Sequence, residues 1–206
     1  MKRVLWIALL ALALPMAAFA SSGSSVDFTN SGGTLSGSSA GLSLSGSELI
    51  AVNGLNGMGL VTGALGSLSF STGTLLSGSL QMGGTFTSGG SFTIDGNGLN
   101  GIPSGSIFNG SFDGPVTWTL ITLANGTHNY TLTGSISGTW YNGTTVYGAS
   151  VQLTINTGKG FFNGRTTISS GDTSIGGSPV PEPSTLIFMG TGLIGVAGAV
   201  RRKLKV

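Results

Sequence analysis

Residues 130–140 read Tyr-Thr-Leu-Thr-Gly-Ser-Ile-Ser-Gly-Thr-Trp. Tyr130, Leu132, Gly134, Ile136, Gly138 and Trp140 share one parity, and a hydroxyl residue fills every position between them. Side chains of a strand point alternately to opposite faces, so this segment can bury one face only as a β-strand. The same period of two places Tyr147, Ala149, Val151, Leu153 and Ile155 on one face, and pairs Leu68 with Phe70, Leu42 with Leu44 and Phe92 with Ile94. Between such runs stand Asn53-Gly54, Asn56-Gly57, Asn100-Gly101, Asn109-Gly110, Asn125-Gly126, Asn142-Gly143 and Asn163-Gly164. Asn-Gly accepts positive φ at both central positions of a tight hairpin turn, and each pair is read as a turn. No stretch between residues 21 and 179 has the 3.6-residue period of an amphipathic helix. The chain is therefore expected to be all-β and antiparallel, a run of hairpins. Many strands in one open sheet curl or split, which leaves a sandwich or a barrel. Short echoes such as Leu-Ser-Gly-Ser at Leu35, Leu44 and Leu76 are irregularly spaced, so no solenoid is implied.

Charge narrows the class. Charged residues are 7% of the chain, against about a quarter in an average soluble domain. Lys2, Arg3, Arg201, Arg202, Lys203 and Lys205 lie at the two ends. Between residues 21 and 179 the bases are Lys159 and Arg165 and the acids are Asp27, Glu48, Asp95, Asp113 and Asp172, a net of −3. The excess of bases is confined to the ends, so nucleic acid is not an expected partner. Cysteine is absent, so packing alone must hold the fold. The outward faces carry Ser, Thr and Gly where charge would ordinarily protect sheet edges from pairing with other chains. Either the edges close on themselves or association is part of the protein's work.

The two ends are addresses. Lys2 and Arg3 precede an apolar run from Val4 to Leu14, and Ala18-Phe19-Ala20 supplies small residues for cleavage after Ala20. This is the pattern of a secretory signal helix. Near the other end, an apolar segment from Leu186 to Val200 is followed by Arg201, Arg202, Lys203 and Lys205. Such bases stay on the cytoplasmic side of a membrane helix, which puts the body across the membrane. Pro181-Glu182-Pro183 precedes the apolar segment, and two prolines one residue apart hold the chain extended where a processing enzyme can grip it. Signal peptide (1–20), all-β body (21–175), linker and Pro-Glu-Pro (176–183) and transmembrane sorting segment (184–206) are the expected divisions.

Pro181 to Thr185, the Gly-containing apolar run and the basic tail together resemble the PEP-CTERM sorting signal of Gram-negative bacteria. The resemblance covers roughly the last 27 residues. It implies an exosortase-like processing enzyme as partner, with Pro181, Glu182 and Pro183 as the recognised element. It also implies an inner-membrane-anchored precursor that later reaches the cell surface or the medium, and an association with exopolysaccharide and biofilm.

Catalytic constellations are sparse. His128 is the one histidine and sits near Asn125-Gly126, where a surface turn is expected. Asp95, Asn97 and Asn100 faintly resemble a calcium loop, but Ser106 stands where its closing acid belongs, and a hairpin turn is the better reading. Glu48, Asp95 and Asp113 offer carboxylate pairs, as any protein with five acids does. Gly158-Lys159-Gly160 lacks the remainder of a phosphate loop. The expectation is a protein without catalysis, cofactor or metal. Trp118, Tyr130 and Trp140 fall on inward parities and are expected in the core, whereas Tyr141 falls on the polar face and is the possible glycan contact.

Overall fold

The computed structural model describes residues 25–176, and within them the alternation becomes strand. The strands are β1 (Ser25–Ser31), β2 (Thr34–Ser38), β3 (Gly41–Asn53), β4 (Val61–Ser71), β5 (Leu75–Ser79), β6 (Gly83–Phe86) and β7 (Gly89–Asn97). They continue with β8 (Ser104–Phe112), β9 (Val116–Thr122), β10 (His128–Trp140), β11 (Thr145–Asn156), β12 (Arg165–Thr167) and β13 (Ser170–Gly176). One turn of 3-10 helix, Leu55–Gly57, is the helical element among the described residues. The signal residues Ala18 and Ala20, the Pro181–Pro183 element and the basic tail from Arg201 to Lys205 lie outside the described residues.

Every pairing is antiparallel. Eight strands close on themselves in the order β1, β3, β4, β7, β8, β10, β11, β13 and back to β1. Of sandwich and barrel, the structure is a barrel, and closure removes the edges of those eight strands. Two side sheets leave the ring. The first half of β3 pairs with β2 and thence β12, while its second half pairs with β1. Likewise the first half of β10 pairs with β9, which carries β6 and β5, while its second half pairs with β8. At the second fork Gly134 leaves room for Phe112, because a Cβ there would lie 2.9 Å from the Phe112 ring.

Side chains fill the barrel, as expected for eight strands. Phe92 packs edge-on against Phe112 and Phe108, with centroids 5.9 and 6.2 Å apart, and Phe70 lies beside Phe92 at 6.0 Å. Where the side sheets meet, Trp118 stacks on Tyr130 at 4.9 Å and Phe162 closes over both. Trp118 Nε1 donates to the Leu80 carbonyl oxygen at 2.9 Å. Tyr130 Oη donates to Gln81 O at 2.6 Å and accepts from Phe162 N–H at 3.1 Å, so no polar tip is left unpaired. Trp118 and Tyr130 are buried as expected, and Trp140 is half-buried against Phe28 and Phe108. Most inward side chains of the barrel are apolar and most outward ones are Ser, Thr or Gly, with buried Ser47 and Thr173 and outward Tyr147 among the exceptions.

Three local expectations change. Asn100-Gly101 does form the expected turn, with φ of +54° and +82° and Ile102 N–H donating to Leu99 O. Asn109-Gly110, however, lies inside β8, where Gly110 is required by the close approach of β10 rather than by a turn. Tyr147 does not share the inward face of Ala149, Val151, Leu153 and Ile155. Ile136 pairs with Ala149 but Gly138 with Val146, so Ser137 faces two residues, Tyr147 and Gly148. This β-bulge, with Gly148 at φ +67°, reverses the parity and turns Tyr147 outward. His128, finally, is not in an exposed turn. It is the buried first residue of β10.

Candidate functional sites on the barrel and in the sorting segment

Tyr141 occupies the turn that joins β10 to β11. Trp140 N–H donates to Thr144 O, Gly143 N–H to Trp140 O, and Thr144 N–H to Asn142 Oδ1, the local bonds of a three-residue Asn-Gly loop. Tyr141 N–H donates to Ile107 O at 2.8 Å, and its hydroxyl donates to Asn56 Oδ1 in the 3-10 turn. The ring is therefore fixed at both ends and remains 42% exposed, as the sequence parity predicts. Its polar tip is engaged, so what it offers a ligand is chiefly an apolar ring face.

Beside it is a cleft of about 240 Å³ at the end of the barrel, lined by Val26, Asn56, Trp140, Thr144, Thr145 and Ile175 among others. The volume is just below the roughly 300–1,000 Å³ of most small-molecule sites. Its polar side chains are the Asn56 amide, the Thr144 and Thr145 hydroxyls and the Trp140 indole, and no titratable side chain lines it. Such a lining can orient a hydroxylated group but has no acid or base to move a proton.

The remaining candidates are not brought together. His128 Nδ1 shares a hydrogen bond with Thr122 Oγ1 at 3.0 Å, and its ring stacks on Phe161 at 4.3 Å. Glu48 and Asp95 both stand opposite Ser67 of β4, from either side, so they are two strand spacings apart, about 10 Å. They lie on the outer wall. Asn97 Oδ1 accepts from Leu99 N–H, and its amide donates to Ala64 O, so the Asp95–Gly101 stretch is a strand end and a hairpin turn. No group of three or more His, Cys, Asp or Glu able to hold a metal exists among the described residues.

One arrangement escaped the sequence reading. Asp113, in the loop between β8 and β9, accepts at Oδ2 from Ser137 Oγ and from Gly148 N–H, the latter at 3.4 Å. Partial desolvation pushes the Asp113 carboxyl up. Hydrogen bonds from the Ser137 and Ser135 hydroxyls, from Gly148 N–H and from its own N–H outweigh that, and the net position is below the usual carboxylate value. Tyr147, in the same bulge as Gly148, is 69% exposed and is the most exposed aromatic of the described body. An Asp followed by Gly-Pro and a Tyr-Gly inside a strand were the available signals, but only a register shift brings them together.

Among known protein families, the PEP-CTERM protein-sorting motif matches residues 179–203. Pro181, Glu182, Pro183, Arg201, Arg202 and Lys203 lie within the match, and Lys205 lies just beyond it. No curated protein and no solved structure matches the chain. The motif marks an exported, membrane-passing precursor targeted to exosortase and sorted to the cell surface. After its all-β, hydroxyl-coated barrel the chain thus carries a PEP-CTERM protein-sorting motif at residues 179–203.

Proposed function

We propose that the protein is a non-enzymatic component of the cell envelope or extracellular matrix, delivered by its sorting signal and associated there with exopolysaccharide and biofilm. The observation that carries the reading is the sorting motif at residues 179–203. Pro181, Glu182 and Pro183 act as the element gripped by the processing enzyme. The segment from Leu186 to Val200 acts as a temporary membrane anchor, and Arg201, Arg202, Lys203 and Lys205 hold its end on the cytoplasmic side. Ala18 and Ala20 flank the N-terminal cleavage. A filled barrel whose cleft has no titratable lining supports a role in contact rather than catalysis.

The experiment is to follow the protein in cells with and without residues 181–206. Surface delivery of the full chain and mislocalisation or release of the truncated form is the expected result. Identical distribution of the two would sink the sorting assignment. A glycan-binding role is favoured by the partly exposed Tyr141 ring beside the cleft. Weaker retention of Tyr141→Ala by host polysaccharide is its test. Self-assembly through sheet edges is favoured by β5 and β12, each paired on one side only among the described residues. Sedimentation at rising concentration reads it directly.

A further inference from the structure

Besides Tyr141 and its cleft, the barrel wall carries a separate patch at the β10–β11 bulge. We propose that Tyr147, Asp113 and the Ser135 and Ser137 hydroxyls form a second binding site, and that its ligand is an uncharged polysaccharide. The inference rests on the reading that the protein contacts matrix glycan, and it names where and of what charge.

The argument begins with cost. A tyrosine left 69% exposed on the outside of a barrel gains little from burial, and the phenol ring lies on a wall rich in Ser, Thr and Gly. The bulge fixes it there. Ser137 faces both Tyr147 and Gly148, and Gly148 N–H is held by Ser137 Oγ at 3.3 Å as well as by Asp113 Oδ2. The backbone that carries the ring is thus pinned to the carboxylate beside it. Little ordering remains to be done on binding, which is what makes a shallow surface patch usable.

The chemistry selects the ligand. An aromatic face accepts the apolar C–H side of a sugar ring, while a carboxylate and adjacent hydroxyls accept and donate to its hydroxyl edge. Asp113 is held ionised by its donors yet stays exposed, so it presents a charged acceptor to a ligand O–H, a bond stronger than a neutral one. The same charge opposes anionic polymers. Asp27 and Asp172 on β1 and β13, further round the same wall, add to that opposition, and the region from residue 21 to residue 179 has a net charge of −3. A neutral glycan fits this surface, and a polyuronate does not.

The test is affinity electrophoresis of the full chain in mild detergent, through gels holding laminarin, galactomannan or alginate. Retardation by at least one of the two neutral polymers and none by alginate is expected. Tyr147→Ala should weaken that retardation about ten-fold, equivalent to roughly 1.4 kcal/mol. Tyr147→Phe should keep it, because stacking uses the ring face, and Asp113→Asn should weaken it. Unchanged retardation of both Tyr147→Ala and Asp113→Asn overturns the patch while leaving the glycan reading intact. Retardation by alginate alone overturns it in favour of an acidic polymer. No retardation by any of the three, together with no binding to the host's own polysaccharide, removes the patch and the glycan reading together.

Discussion

Gly110 and Gly138 stand directly opposite each other where β8 runs beside β10. A Cβ on Gly138 would lie 2.6 Å from Gly110 Cα, and one on Gly110 would fall on the Ser137 carbonyl oxygen. The obstacles are backbone, which cannot rotate aside. Gly110→Ala and Gly138→Ala should each destabilise the barrel by about 1–3 kcal/mol, read from urea unfolding midpoints. Gly126→Ala meets no atom within 4 Å, so its cost is only the conformational strain of φ +79°, roughly 1 kcal/mol. Equal losses at all three would show that backbone approach is not what sets Gly110.

Tyr130 ties three segments through one hydroxyl. Tyr130→Phe leaves Gln81 O without its donor and the buried Phe162 N–H without its acceptor. A loss of about 1–3 kcal/mol is expected. Hydrogen exchange should accelerate at Phe162 before it accelerates in the barrel ring, because the contact anchors the side sheets.

Thr173 is buried between Phe28 and Val151, and its hydroxyl has no hydrogen-bond partner among the described residues. An unsatisfied buried hydroxyl costs about 1–3 kcal/mol, so Thr173→Val should be neutral or stabilising. A clear fall in melting temperature in this variant would mean that the hydroxyl is bonded in solution.

Asp113 sets a pH dependence. Its folded-state pKa is lowered, so its contribution is present above the ordinary carboxylate pKa and is lost as pH falls through the lowered one. Stability of the native chain should therefore decline on acidification below the usual carboxylate range. Asp113→Asn should flatten that limb of the curve by lowering stability modestly at neutral pH, where the ionised carboxylate contributes, and leaving acid-pH stability nearly unchanged. An unchanged acid limb would mean that Asp113 titrates alike in both states.

Processing should leave its own mark. Protein recovered from the surface or the medium should lack the residues beyond about Pro183, as read by mass spectrometry of its C-terminal peptide. An intact Val206 in such material would count against removal of the tail.

What could be read before folding was what neighbours along the chain decide. Alternation through Tyr130, Leu132 and Ile136, or Phe92 and Ile94, is local, and all of these are buried as their parity requires. Asn100-Gly101 is a local turn and behaves as one. The sorting segment, a linear signal read by another protein, is likewise written in consecutive residues. Closure was not written there. The choice of barrel over sandwich lies in β13 pairing with β11 on one side and β1 on the other, and Val26 opposite Ile175 joins residues from the two ends of the described chain. Gly110 looked like a turn because glycine serves both for positive φ and for close approach, and only the position of β10 tells which. Tyr147 looked inward because an alternation rule counts residues and cannot see the extra one inserted opposite Ser137. The sequence alone determined strands, turns and destination, each a property of a few adjacent residues. Tertiary structure decided which strands meet, where parity slips, and hence that Asp113 and Tyr147 share one patch. Register is a relation between chains of atoms brought together by folding, and no single stretch contains it.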